Sequence, residues 1–305
     1  MYFRPEGSLL GTPVNDRLTE TAAGLEEAMR KGCILEARAA MCTSSHDLIV
    51  HLPCAVGIIP REEGALGIRE GTTRDIAVIS RVNKVVCFKV VSLKNDEDGK
   101  LTAVLSRRAA QAECLEHFLR PLRAGDIVEA KVTHLEQFGC FVDIGSGIPS
   151  LIPIDSISVS RISHPADRFC IGQELRVIVR SNENGRICLT HKELLGTWSE
   201  NAEKFSVGET VGGIVRSVEE YGIFVELAPN LAGLAEPKEN IRPGQSVSVY
   251  IKAILPDKMK VKLVIIDVCE DTPEMPQYEY FIDSGHISQW IYSTPESPKK
   301  IISEF

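Results

Sequence analysis

The chain has 305 residues, of which 44% are hydrophobic and 25% charged, with a net charge of −8. That length allows two or three domains and that composition is ordinary globular material, so a disordered or fibrous chain is excluded. No apolar run approaches the ~18 residues a membrane span needs, and no strong basic footprint exists, so any grip on nucleic acid must lean on stacking and a few placed cations.

Residues 1–30 read as an N-terminal loop, punctuated by Pro5, Gly7, Gly11 and Pro13, followed by a short helix over Thr19 to Arg30. No secretory leader is visible in Met1 to Asn15. Gly32 to Ala39 then opens a strand, with a second over Leu48 to Leu52 and later strands expected in Ile76 to Arg81, Val85 to Leu93 and Leu101 to Leu105. Residues 31–109 thus form one module. Arg107 to Leu119 reads as a helical connector stopped by Pro121, assigned to residues 110–121.

Gly125-Asp126-Ile127-Val128-Glu129-Ala130-Lys131-Val132 leads to Gln137-Phe138-Gly139-Cys140-Phe141-Val142-Asp143-Ile144. At a constant offset of 83 positions, Gly208 to Val215 leads to Glu220-Tyr221-Gly222-Ile223-Phe224-Val225-Glu226-Leu227. A repeat at fixed spacing means one module used more than once, with Gly32 to Ala39 as a divergent third occurrence. The second module (residues 122–195) continues through Pro149 to Ile154, Glu174 to Arg180 and Arg186 to Thr190, with Asn182-Glu183-Asn184-Gly185 as the hairpin turn. His191 to Phe205 reads as a second helical connector, assigned to residues 196–204. The third module (residues 205–268) matches again at Gly244 to Val249, at an offset of 72, so 11 residues are missing between its third and fourth strands. Five short strands per copy indicate a mainly β protein of three tandem five-stranded barrels joined by short helical connectors.

Residues 269–305 form an aromatic-rich tail. Tyr278, Tyr280, Phe281, Trp290, Tyr292 and Phe305 are six of the chain's 18 aromatics, against disorder. They either pack back on the barrels or form a docking segment. From Glu270 onward the tail carries seven acids against Lys299 and Lys300, which holds most of the chain's negative excess.

Alternation on the second strand of copy two puts Cys140, Val142 and Ile144 inward, leaving Phe141 and Asp143 outside; copy three repeats this with Ile223, Val225 and Leu227 inside, Phe224 and Glu226 outside. A solvent-facing Phe occurring twice is the informative anomaly, and Phe138 and Tyr221 can share the same surfaces. Such faces stack bases, or are covered by connector helices or neighbouring modules. Arg176 and Arg180 point outward on the fourth strand, with Lys252 in the place of Arg180 in copy three. Lys131 lies outward on the first strand of copy two and Arg216 near the end of that strand in copy three. Arg186 follows the hairpin turn and Lys260 takes its equivalent place. Cations beside aromatics suit phosphates and base edges, although these are also ordinary residues for solvated strand faces.

Gly125 to Ile144, followed by Ser163-His164-Pro165-Ala166-Asp167, Gly172-Gln173 and Gly185-Arg186-Ile187-Cys188-Leu189, resembles the S1 RNA-binding motif, a five-stranded oligonucleotide-binding (OB) barrel found in bacterial ribosomal protein S1 and several RNA-processing enzymes. The resemblance is specific for copy two, good for copy three and weak for copy one, and spans about Lys31 to Asp267. It implies that Phe138, Phe141, Asn182 and Arg186 contact single-stranded RNA. The chain departs from the family pattern at Pro153 and Glu236, where a histidine is usual, at Asn182, where Asp is common, and near it in copy three at Pro256. Copy one has Ser45, His46, Leu48 and Ile49 in place of the aromatics, and the resemblance suggests that such an N-terminal copy contacts protein.

The expected function is a non-catalytic single-stranded RNA (mRNA) binder of the translation apparatus, partnered by the small ribosomal subunit, cytoplasmic, with no membrane, cofactor, metal or small-molecule substrate. The alternatives are an S1-type scaffold or accessory subunit contacting the ribosome or an RNA-processing enzyme through protein surfaces, and an RNA-active enzyme. Nothing supports the enzyme: no Gly-rich phosphate loop or nucleophile–base grouping appears, and His134, His164, His191 and His286 stand isolated as surface or turn residues. The nine scattered cysteines include no Cys-x-x-Cys pair and read as reduced, buried thiols, as in a cytoplasm.

Overall fold

The computed structural model describes residues 3–95, 99–269 and 278–305. These divide into two compact units, one running to Pro121 and including Asp143–Pro149, the other comprising Leu122–Val142 and Ser150–Phe305.

The first unit opens with α1 (Pro13–Glu20) and α2 (Ala22–Lys31). The loop expected before Thr19 is therefore a helix in its second half. Thr12 is its N-cap, with Oγ1 accepting from the Asn15 amide, and Pro13 sits at the first helical position, where its missing N–H costs nothing. α2 ends on Gly32 in the left-handed region at φ 65°.

The barrel that follows consists of β1 (Leu35–Cys42), β2 (Leu48–His51), β3 (Val56–Ile59), β4 (Val85–Asn95) and β5 (Leu101–Ser106). The strand expected within Ile76 to Arg81 is instead α3 (Ile76–Ile79), and the third strand lies earlier, at Val56. A four-residue apolar run carries no period that separates helix from strand. β1 to β5 close in the order β1-β2-β3-β5-β4, with the β3–β5 pair parallel and the others antiparallel. Leu25, Leu35, Leu48, Ile59, Phe88 and Leu105 fill this core. α4 (Arg107–Cys114), N-capped by Ser106, continues through a π turn to Leu119.

The second unit holds the other two barrels apart from residues 143–149, which fall in the first. β6 (Ile127–Glu136), β7 (Gly139–Asp143), β8 (Pro149–Pro153), β9 (Glu174–Glu183) and β10 (Arg186–Thr190) close with the same order and the same single parallel pair, β8–β10. A 3₁₀ turn over Lys192–Leu195 and α5 (Trp198–Ala202), N-capped by Thr197, form the connector. β11 (Thr210–Glu219), β12 (Gly222–Ala228), β13 (Leu231–Ala235), β14 (Ser246–Leu255) and β15 (Lys260–Val268) repeat the topology.

The tail packs back on these barrels. β16 (Gln289–Ile291) and β17 (Ile302–Glu304) form a hairpin. Trp290 and Tyr292 join the core of the third barrel, and the Tyr292 hydroxyl donates to the Asn230 carbonyl at 2.6 Å. Upstream, the Ile127 amide donates to the Gly285 carbonyl, and His286 Nδ1 lies 2.9 Å from Asp126 Oδ1. The tail's Glu270, Asp271 and Glu274 lie outside the described residues.

No helix among the described residues is long and apolar enough to cross a membrane. All nine cysteines are free thiols; Cys87, Cys114 and Cys140 are buried, whereas Cys170 is exposed, contrary to its expected burial.

Candidate nucleic-acid interface

β7 positions the first aromatic pair. Cys140 and Val142 point into the barrel and Ile144 beyond them is buried, so the pleat turns Phe141 outward, where it is half-buried. Phe138, in the turn before the strand, is 57% exposed. The two rings meet edge to face, centroids 6.0 Å apart at 89°. Tyr221 and half-buried Phe224 on β12 repeat this at 6.2 Å and 87°, Tyr221 being 67% exposed. The sequence repeat is thus a repeat of side-chain geometry. Neither pair is sealed over. Edge-to-face packing holds one ring while leaving a face of the other for a planar guest.

One member was missed in the sequence. The His134 ring lies 6.5 Å from Phe141 and near parallel to it (29°), with Nε2 2.7 Å from Glu136 Oε1. In the third barrel the register shifts between Val215 and Ser217, placing Ser217 opposite Phe224. Ser217 is the offset equivalent of His134. Such an extra residue turns the following side chain to the other face, which strict alternation does not foresee.

The polar positions divide. Arg180 is exposed and donates from Nη1 to Ser156 Oγ (3.0 Å); Arg186 and Lys260 are exposed on their hairpins. Lys131 is half-buried on β6, opposite Glu174. Arg176 faces Glu129 across β6 and β9 at 3.5 Å, and Lys252 pairs with Glu236 at 3.3 Å, both contacts being solvated. Asn182 braces the β9–β10 turn, its Oδ1 accepting from the Gly185 amide and its Nδ2 donating to the Leu122 carbonyl.

Arg216 departs from the outward placement expected of it. Its side chain is 11% exposed and clasps Glu226 through Nε (2.8 Å) and Nη2 (3.2 Å). Glu226, also expected outside, is buried and held by fully buried Arg168 as well. A carboxylate between two guanidiniums is how a buried charge is tolerated. Asp143, the other acid expected outside, is buried too. Its Oδ1 accepts from the Gly145 and Gly147 amides and its Oδ2 from the Glu6 amide. Burial, then the nearby Glu6 carboxylate, push its pKa up to about 7 against those three bonds.

His191 is not a surface residue. It is fully buried, its ring edge-on to Phe169, Tyr278 and Tyr280. Nδ1 lies 3.0 Å from the Ile157 carbonyl, which can only accept, so Nδ1 carries the proton and Nε2 accepts from the Tyr280 hydroxyl. Burial pushes its pKa down to about 4. This cluster seats the tail rather than forming a reactive site. Among the described residues no group of three or more His, Cys, Asp or Glu is arranged to hold a metal ion.

Residues 122–192 match the family model of the S1 RNA binding domain. The chain is 33% identical over 215 residues to the small ribosomal subunit protein bS1 homolog of Bacillus subtilis (strain 168), covering 65% of this chain and 55% of that one. It is 33% identical over 180 residues to small ribosomal subunit protein bS1 of Staphylococcus aureus (strain COL), covering 53% and 46%. The chain therefore spans about half the length of the curated relatives it matches. Among solved structures it is similar to a multidomain protein with nucleic acid binding domains from Streptococcus pneumoniae TIGR4, at 14% identity and a TM-score of 0.25, covering 77% of this chain and 73% of that one.

Proposed function

We propose that this chain, whose residues 122–192 are an S1 RNA binding domain in a sequence resembling bacterial ribosomal protein S1, is a non-catalytic cytoplasmic protein that binds single-stranded RNA, mRNA in particular, at the small ribosomal subunit. The observation that carries the reading is the open aromatic pair Phe138–Phe141, flanked by His134, on the barrel that matches the family. Bases of any identity stack on such rings, each for ~1–3 kcal/mol. Exposed Arg180 and Arg186 on β9 and β10, with Lys131, supply the phosphate contacts. Asn182 sets the turn that carries Arg186. Tyr221–Phe224 offers a second stacking site, with Lys252 and Lys260 as its cations, so that two weak sites on one strand raise avidity. Arg216, held by Glu226, is assigned to structure instead.

A second reading is favoured by one observation. β2 of the first barrel and the turn before it carry no Phe, Tyr or Trp, and Leu48 there is buried. That barrel suits a protein contact, to the ribosome or an RNA-processing enzyme. The test is a titration of a labelled, unstructured oligonucleotide at rising salt. The first reading expects binding that weakens with salt; no binding at low salt leaves the scaffold, and RNA turnover by pure protein would make the chain an enzyme.

A further inference from the structure

The first unit contains a cavity of about 250 Å³ where the N-terminal lead and α1 meet β1. Phe3, Leu9, Leu18, Cys33 and Leu35 give it apolar walls, and Glu36 is its one acid. Glu36 is 2% exposed. Its Oε2 accepts from the amides of Gly7, Leu9 and Leu10, at 3.0, 2.9 and 3.2 Å. Oε1 has no hydrogen-bond partner among the described residues. Oε1 is not among the fully buried unpaired side-chain atoms of the described residues, so it keeps access to the cavity that Glu36 lines and is free to accept from a guest there.

We propose that this cavity is a binding site for a small amphipathic ligand, an apolar bicyclic body carrying one hydrogen-bond donor that is received by Glu36 Oε1. An apolar cavity of ~150 Å³ admits benzene, which scales to roughly ten heavy atoms here. Apolar walls hold the body and the single carboxylate oxygen sets its orientation, the usual division of labour in small-molecule sites. Burial pushes the Glu36 carboxyl above its ordinary range, while the three amides on Oε2 oppose that shift. A donor arriving at Oε1 acts with the amides and favours the charged form. Because the amides of Gly7, Leu9 and Leu10 converge on the same carboxylate, the ligand fastens the N-terminal lead to β1. The site is separate from the aromatic pairs of the second unit and stands whether or not those bind RNA.

Indole and benzofuran, which differ in the N–H donor but hardly in size, are the probes. With the full chain, indole binds saturably by calorimetry or ligand-observed NMR, and benzofuran binds at least about tenfold more weakly. Indole slows alkylation of Cys33, resolved by peptide mass spectrometry, and leaves exposed Cys170 unaffected. Glu36→Gln brings the two affinities together. Leu9→Trp, which fills the cavity, abolishes binding while circular dichroism shows the fold retained; it also decides the matter should Glu36→Gln not fold. Equal affinity for the two probes in the wild type, unaltered indole binding by Leu9→Trp, or no saturable binding of indole overturns the proposal.

Discussion

The Tyr280 hydroxyl lies 3.2 Å from Nε2 of His191, and the same hydroxyl accepts the backbone N–H of Arg176 at 3.1 Å. A tail residue thereby reads the protonation state of a histidine inside the second barrel. The tyrosine can donate to Nε2 only while His191 is neutral.

Stability should therefore fall with acid. The folded-state pKa of His191, about 4, lies below its unfolded value of 6.5. Its contribution is present in full above pH 6.5 and lost as pH falls through 4, amounting to about 3 kcal/mol at 1.36 kcal/mol per unit. Urea titrations across that window should show the loss, together with a lower protection factor, relative to the intrinsic rate at each pH, for the Arg176 amide. Tyr280→Phe should cost about 1–3 kcal/mol at neutral pH, because that amide is left without its acceptor.

Asp143 gives the opposite slope. Its pKa is raised from 3.8 to about 7, so the stability associated with its neutral form is full below 3.8 and lost as pH rises through 7. The protection factor of the Glu6 amide, its exchange rate referred to the intrinsic rate at each pH, should fall between pH 6 and 8 in the wild type. Asp143→Asn, with nothing to ionise, should show no such dependence; an unchanged slope in the variant would assign the titration elsewhere.

Arg216→Ala should separate structure from recognition. It strips one of two guanidiniums from buried Glu226 and should cost about 1–3 kcal/mol, whereas Arg168→Ala, at the fully buried partner, should cost about 3–5 kcal/mol. RNA affinity should stay within twofold or so of wild type for Arg216→Ala at temperatures where it is folded.

Gly125 has φ 92°, and a Cβ there would lie 2.0 Å from the Ile287 carbonyl oxygen. Gly172 has a similar φ, 88°, and nothing within 4 Å. Gly172→Ala should cost the ~1–2 kcal/mol of left-handed backbone strain alone. Gly125→Ala should cost more and detach the tail from Asp126, visible as lost protection of the Ile127 and Ile287 amides in hydrogen exchange.

Period-two alternation and the fixed offset made the strands of the second barrel and both aromatic pairs legible in the sequence, whereas the third strand of the first barrel, Val56–Ile59, was not. What alternation cannot report is what covers an outward face. Asp143 and Glu226 have the parity of Phe141 and Phe224, yet are buried because Glu6 and Arg168, remote in sequence, close over them. His134 was hidden because its ring partner, Phe141, lies on the neighbouring strand, and His191 because its tyrosine partners lie some ninety positions downstream. Pro13 looked like loop punctuation, although Thr12 before it makes a helix start. The cavity at Glu36 depends on three separated segments meeting, for which no local pattern exists.

On the proposed function, the ring of Phe141 stacks a base. The direct measurement is the affinity of Phe141→Ala for a labelled, unstructured oligonucleotide at low salt, beside wild type and Phe224→Ala. The expected result is a loss of about 1–3 kcal/mol at Phe141, at least as large as that at Phe224, with the folded state and the salt slope kept. Wild-type affinity in Phe141→Ala would contradict it.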